Sequence, residues 1–89
     1  MIERELTVAN RLGLHARATA KLVQVLSGFR CNATLSAKGR EVNAKSIMGV
    51  MLLAAGQGTT VLLRVDGDDE AAAADAAADL FARLFDEDG

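Results

Sequence analysis

Residues 59–84 read T-T-V-L-L-R-V-D-G-D-D-E-A-A-A-A-D-A-A-A-D-L-F-A-R-L, and how the alanine run is taken decides the fold. Val61, Leu63 and Val65 alternate with Leu62 and Arg64, which predicts a strand from Thr59 to Val65 with one apolar face. Asp68 or Asp69 then supplies a helix cap. Beyond it Ala73, Ala77, Leu80, Phe81 and Leu84 share one helical stripe, while Asp75 and Asp79 point away. The alanine run is a helix, not a linker.

Upstream of this unit, Ser46 opens a short helix over Ile47 to Ala54, which Gly56 and Gly58 end. Residues 31–36 and 40–44 are short strands flanking A-K-G, a three-residue loop with Gly39 at the left-handed position. Ala18, Leu22, Val25 and Leu26 fall at helical spacing between Ala16 and Ser27, and Gly28 supplies a left-handed stop. N-R-L-G at 10–13 is a loop. In residues 2–8, Ile2, Leu6 and Val8 alternate with Glu3, Glu5 and Thr7, and only Arg4 breaks the phase of a half-buried strand. The order is β-α-β-β-α-β-α. Four short strands with three helices on one face make a two-layer α+β sandwich. Ferredoxin-like folds share the first six elements, and periodicity leaves both strand orders open.

The 89 residues suffice for a single domain, 1–89, with one core. Apolar residues make up 51 %, but Phe29, Phe81 and Phe85 are the only aromatics, so aliphatic side chains must fill the interior. Cys31 is the only cysteine, which rules out an internal disulfide. The start, M-I-E-R-E-L-T, lacks the apolar stretch of a signal peptide, and no apolar run reaches the ~20 residues of a membrane helix. A cytoplasmic protein with no membrane insertion is expected. Nine Lys/Arg against three Asp/Glu up to Val65 give +6, and one against nine from Asp66 onward gives −8. The basic body suits acidic proteins, phosphate groups or nucleic acid. Nucleic acid is disfavoured, because no strand carries an aromatic on which a base could stack.

His15 is the only histidine and stands at the start of the first helix. Unpartnered amides and the positive end of the macrodipole make that place an anion site. Arg17 can turn its planar fork to the same spot, and the helix field keeps the imidazole neutral and nucleophilic. A surface histidine that happens to precede a helix is the plain alternative, and a solvated helix residue is the plain one for Arg17. Ser46 is an ordinary N-cap; a phosphate added there would also meet a helix N-terminus, which gives a regulatory alternative. Val50, Leu53 and Ala54 form one apolar face of the helix over Ile47 to Ala54. Ile47, Met48 and Met51 form a second, which is either buried or a docking surface for a partner. One His and one Cys do not make a tetrahedral metal site, so no metal and no cofactor are expected, and neither phosphate-binding glycine motif is present.

N-R-L-G-L-H-A-R-A-T-A (10–20) resembles the active-site segment of the HPr family, the histidine-containing phosphocarriers of the bacterial phosphotransferase system. N-A-K-S-I-M-G-V-M (43–51) is similar to that family's regulatory-serine segment, and the likeness covers essentially the whole chain. The resemblance implies an open-faced β-sandwich whose four antiparallel strands run in the order 1-4-2-3. It implies a carrier and not an enzyme, with His15 phosphorylated on Nδ1 and the phosphate held by Arg17 and the amides of Ala16 and Arg17. Phosphoenolpyruvate would be the original donor, enzyme I the immediate one, and sugar-specific enzyme II A domains the acceptors. Ser46 matches the target of HPr kinase/phosphorylase. Ile47, Met48 and Met51 would meet these partners, with the chain acting as a monomer. The family usually has proline after the arginine where this chain has Ala18, which implies a looser helix start without loss of chemistry. A nitrogen-related phosphocarrier, or a binding module acting through phosphoserine-46, are the alternative outputs.

Overall fold

In the computed structural model, which describes residues 1–87, the alternation and helical spacings become the elements they predict. These are β1 (Ile2–Thr7), α1 (Ala16–Ser27), β2 (Asn32–Ala37), β3 (Arg40–Asn43), α2 (Ile47–Leu52), β4 (Thr60–Asp66) and α3 (Glu70–Ala82). A short 3-10 turn, Leu84–Asp86, follows. The sheet is antiparallel throughout, in the order β1-β4-β2-β3, which settles the strand order that periodicity left open.

Register explains how the apolar phases meet. Leu6 opposes Val61, and Leu35 opposes Leu63, so strands distant in sequence present one apolar surface. Against it pack Ala18, Leu22 and Leu26 of α1, Val50 of α2, and Ala73, Ala77, Leu80 and Phe81 of α3. The opposite face is polar, where Arg64 bridges Glu3 (2.7 Å) and Glu41 (3.3 Å). Arg4, the one break in the phase of β1, is half-buried and reaches Asp75 of α3 at 3.1 Å. The irregularity in the pattern is an ion pair between sheet and helix.

Helix and turn ends depart from the sequence expectations. Gly28 is right-handed (φ −76°), because its amide and that of Phe29 turn back to Val25 and Leu26 in a tightened last turn. The hairpin turn has two residues, Lys38 and Gly39 (φ 55° and 77°), not three, since Ala37 stays paired with Arg40. Two left-handed residues match the twist of the flanking strands. α2 stops at Leu52, before the glycines, and Ala54 itself turns left-handed (φ 49°). That turn leaves Ala54 exposed and buries Ala55 in its place beside Val50 and Leu53. Asp69 takes the cap position of α3 without bonding α3. Its carboxylate accepts instead from the amides of Arg30 (2.7 Å) and Cys31 (2.9 Å), tying the helix to the start of β2. α3 ends at Ala82, so Leu84 lies past the stripe assigned to it and is half-buried. Phe85 fills the core instead, its ring 4.8 Å from that of Phe81.

Candidate functional site

The site begins with a glycine. Gly13 has φ +68°, and a Cβ there would lie 2.6 Å from the Ala55 carbonyl oxygen and 2.8 Å from the Gly56 Cα. Only glycine permits both the left-handed turn and this approach. The Leu14 amide then donates to the Ala55 carbonyl (2.8 Å), and the buried Asn10 side chain donates to the Gly13 carbonyl (2.8 Å). Thr19 closes the frame through its hydroxyl on the Leu14 carbonyl (3.1 Å).

This frame sets His15 at the N-cap of α1 with extended backbone (φ −78°, ψ −178°). Its carbonyl accepts the first helical bond, from Thr19 (2.9 Å), and its Nδ1 faces the Arg17 amide at 3.4 Å. The ring is partly exposed, with 29 % of its side-chain surface open. It lines a cleft of about 590 Å³ together with Ala16 and three cationic residues, Arg11, Arg17 and Lys21. The structure thus brings together all three residues singled out here by sequence: His15, Ala16 and Arg17. Ala18, in the proline position of the resemblance, is fully buried in the first turn.

Four contributors are absent from the sequence reading. Arg11 and Lys21 add charge to the cleft. Glu87 lines the cleft and Asn10 is buried behind it: the Glu87 carboxylate meets His15 Nε2 at 2.5 Å through Oε2 and takes the Asn10 amide at 2.9 Å through Oε1. Asn10 and His15 hold the Glu87 carboxyl below the usual carboxylate range, the Asn10 bond being the larger cause. A helix end and Arg17 are the electrostatic setting legible around the ring, and the structure adds a carboxylate. Asn10 had a local signal in N-R-L-G, but Glu87 had none.

Ser46 and the second apolar face form a separate surface. The Ser46 hydroxyl caps α2 by accepting from the Gly49 amide at 3.1 Å. Ile47, Met48 and Met51 are 44 %, 78 % and 43 % exposed, so of the two readings of that face the structure has the open one; Leu52 extends it. The surface is linked to the His15 loop through the Ala55 and Gly56 backbone. Among the described residues, no group of three or more His, Cys, Asp or Glu is placed to hold a metal, and no helix is long and apolar enough to cross a membrane. Cys31 is buried, and desolvation raises its thiol pKa, which makes it unreactive.

A family model described as "PTS HPr component phosphorylation site" matches residues 2–83, a span that stops short of Glu87. The chain is 67 % identical over 88 residues to the phosphocarrier protein HPr of Xylella fastidiosa (strain Temecula1), covering 99 % of each. It is 54 % identical over 87 residues to the phosphocarrier protein HPr of Cupriavidus necator, covering 98 % of each. Among solved structures, HPr-C-His from Thermoanaerobacter tengcongensis superposes over all of both chains with a TM-score of 0.96 at 42 % identity.

Proposed function

The chain belongs to the HPr family of the phosphotransferase system, carriers and not catalysts, and we propose that it carries its phosphoryl group on His15 Nδ1. The observation that supports this best is the setting of that nitrogen. Nδ1 points along the Arg17 amide at a helix N-terminus, in a cleft with Arg11, Arg17 and Lys21 around it. A phosphoryl group on Nδ1 would replace the long amide contact with phosphate oxygens, in reach of the Ala16 and Arg17 amides and the Arg17 fork. Enzyme I, charged by phosphoenolpyruvate, is the donor in this reading, and sugar-specific enzyme II A domains are the acceptors.

Ile47, Met48 and Met51 are the apolar part of the docking face, and Arg11 and Arg17 the cationic part. Ser46 is a regulatory phosphorylation site for HPr kinase/phosphorylase. The carrier works in the cytoplasm as a single copy. The intact K-S-I-M-G-V-M segment favours the sugar branch over the nitrogen-related one.

The test is incubation with enzyme I and phosphoenolpyruvate. Acid-labile phosphate should appear on the wild type and not on His15→Ala, which should still fold cooperatively with a melting temperature lower by several degrees, because the cap and the Glu87 contact together contribute about 1 kcal/mol or more. Phosphoryl uptake by His15→Ala would end the proposal.

A further inference from the structure

We propose that Glu87 is a positioning residue for His15: its carboxylate holds the ring proton on Nε2, so that Nδ1 is the nitrogen left free to take the phosphoryl group. This rests on the carrier reading above, but its primary observable does not.

A carboxylate only accepts hydrogen bonds, so its 2.5 Å contact requires the proton on Nε2. On the other side the Arg17 N–H points at Nδ1, which must then present its lone pair. Two neighbours on opposite edges of the ring specify the same tautomer. The carboxylate is itself fixed. Its second oxygen takes one hydrogen of the Asn10 amide (2.9 Å), and the same amide nitrogen donates to the Gly13 carbonyl (2.8 Å). Asn10 is fully buried, so it can neither turn to water nor release the pair cheaply.

The segment that carries Glu87 is built to deliver it. Leu84, Phe85 and Asp86 all have positive φ (57°, 55° and 61°). Left-handed backbone is unfavourable for L-amino acids, so these residues would not adopt it alone. Burial of the Phe85 ring against Phe81 and the bond from Lys21 Nζ to the Phe85 carbonyl (2.7 Å) hold the turn. Lys21 also lines the cleft, and so the turn and the site share an anchor.

During transfer the Nδ1 lone pair attacks phosphorus and the N–P bond forms. The donor's bond to phosphorus breaks, and its electron pair leaves with the donor. The ring gains a positive charge while keeping its Nε2 proton, which stays on nitrogen and hydrogen-bonded to the Glu87 carboxylate. Glu87 therefore faces the charge as it develops, as the carboxylate does in a serine-protease triad. Onward transfer is the reverse and returns the same tautomer.

The experiment compares wild type, Glu87→Gln and Glu87→Ala. Ring ¹⁵N spectra of the unphosphorylated proteins report the tautomer. Phosphorylation with phosphoramidate, which loses ammonia, followed by ³¹P spectra reports which nitrogen is modified. Wild type should show the Nε2–H tautomer and phosphate on Nδ1. Glu87→Gln keeps one acceptor oxygen for two donors, Asn10 and His15, so it should keep the tautomer only in part and take up phosphate more slowly. Glu87→Ala should populate both tautomers, place part of the phosphate on Nε2, and lose about ten-fold or more in rate. An unchanged tautomer and unchanged nitrogen in Glu87→Ala would overturn the assignment. So would faster uptake, which would make Glu87 an anion blocking the cleft. If wild type takes no phosphate from enzyme I, the carrier reading fails, while the ring spectra still decide on Glu87.

Discussion

At the scale of single residues, the site depends on contacts that permit little adjustment. Gly13→Ala places a methyl against the Ala55–Gly56 backbone in a left-handed turn. It should destabilise by more than ~2 kcal/mol, which for a domain of this size lowers the melting temperature by about 8 °C or more. Arg17 is a different case, being exposed, so its substitution should spare stability and affect transfer. Lysine keeps the charge but loses the planar fork; glutamate reverses the charge. Arg17→Lys should be impaired in enzyme I kinetics and Arg17→Glu more so, whereas equal rates for all three proteins would make Arg17 a mere surface side chain. Asp69 gives a pH dependence. The amides of Arg30 first, and of Cys31, hold its carboxyl below the usual range. Its stabilisation is present above the unfolded pKa near 4 and is lost as pH falls through the lower folded value. The melting difference between wild type and Asp69→Asn should therefore shrink below about pH 4. Of these residues, His15 and Arg17 were legible because helix-start chemistry is local. Glu87 was not, because its partner lies 72 positions away and no periodicity links them.

Secondary-structure elements carry the next set of consequences. A charge at Ser46 sits at the positive end of α2, so Ser46→Asp should fold and melt like wild type or slightly higher. The same charge lies beside Ile47, Met48 and Met51, where an acidic partner would meet it at a desolvated contact. Ser46→Asp should raise the KM for enzyme I and Ser46→Ala should not; a lower melting temperature that accounts for the slowing would reduce Ser46 to a cap. The turn after α3 has its own test. Phe85→Ala should cost about 3–5 kcal/mol by thermal unfolding, as for other buried aromatics. Helix identity was legible from spacing, but several helix ends were not. Glycine is one way to end a helix, and here Ala54 turns left-handed while Gly28 does not. Asp69 does stand at the cap position, but its bonds were not legible: the nearest amides to its carboxylate come from another segment of the chain.

For the whole molecule, charge is divided between the two ends of the sequence and gathered differently in space. Arg11, Arg17 and Lys21 converge on one cleft, while Asp75 and Asp79 of α3 pair with Arg4 and Arg83. Asp86 and Glu87 line the same cleft, so a partner approaching it meets a small local excess of cations although the chain carries −2 overall. Association with enzyme I should therefore slow as ionic strength rises toward and beyond 0.15 M, where screening acts within about 8 Å. A rate indifferent to salt would place the recognition on the apolar face alone. The fold class and its two layers were legible in the alternation of strands and helices. Strand order was not, since alternation says which face each strand buries and nothing about its neighbours.

That strand order has a consequence for biosynthesis. β2 and β3 are joined by a two-residue turn and can pair within microseconds of being made. β1 is synthesised first and pairs only with β4, its Thr7 opposite Thr60. At about 5–20 residues per second the ribosome takes roughly 3–10 s to cover that interval. For those seconds Ile2, Leu6 and Val8 wait without a sheet, and a nascent chain in this state is a client for whatever shields apolar segments at the ribosome.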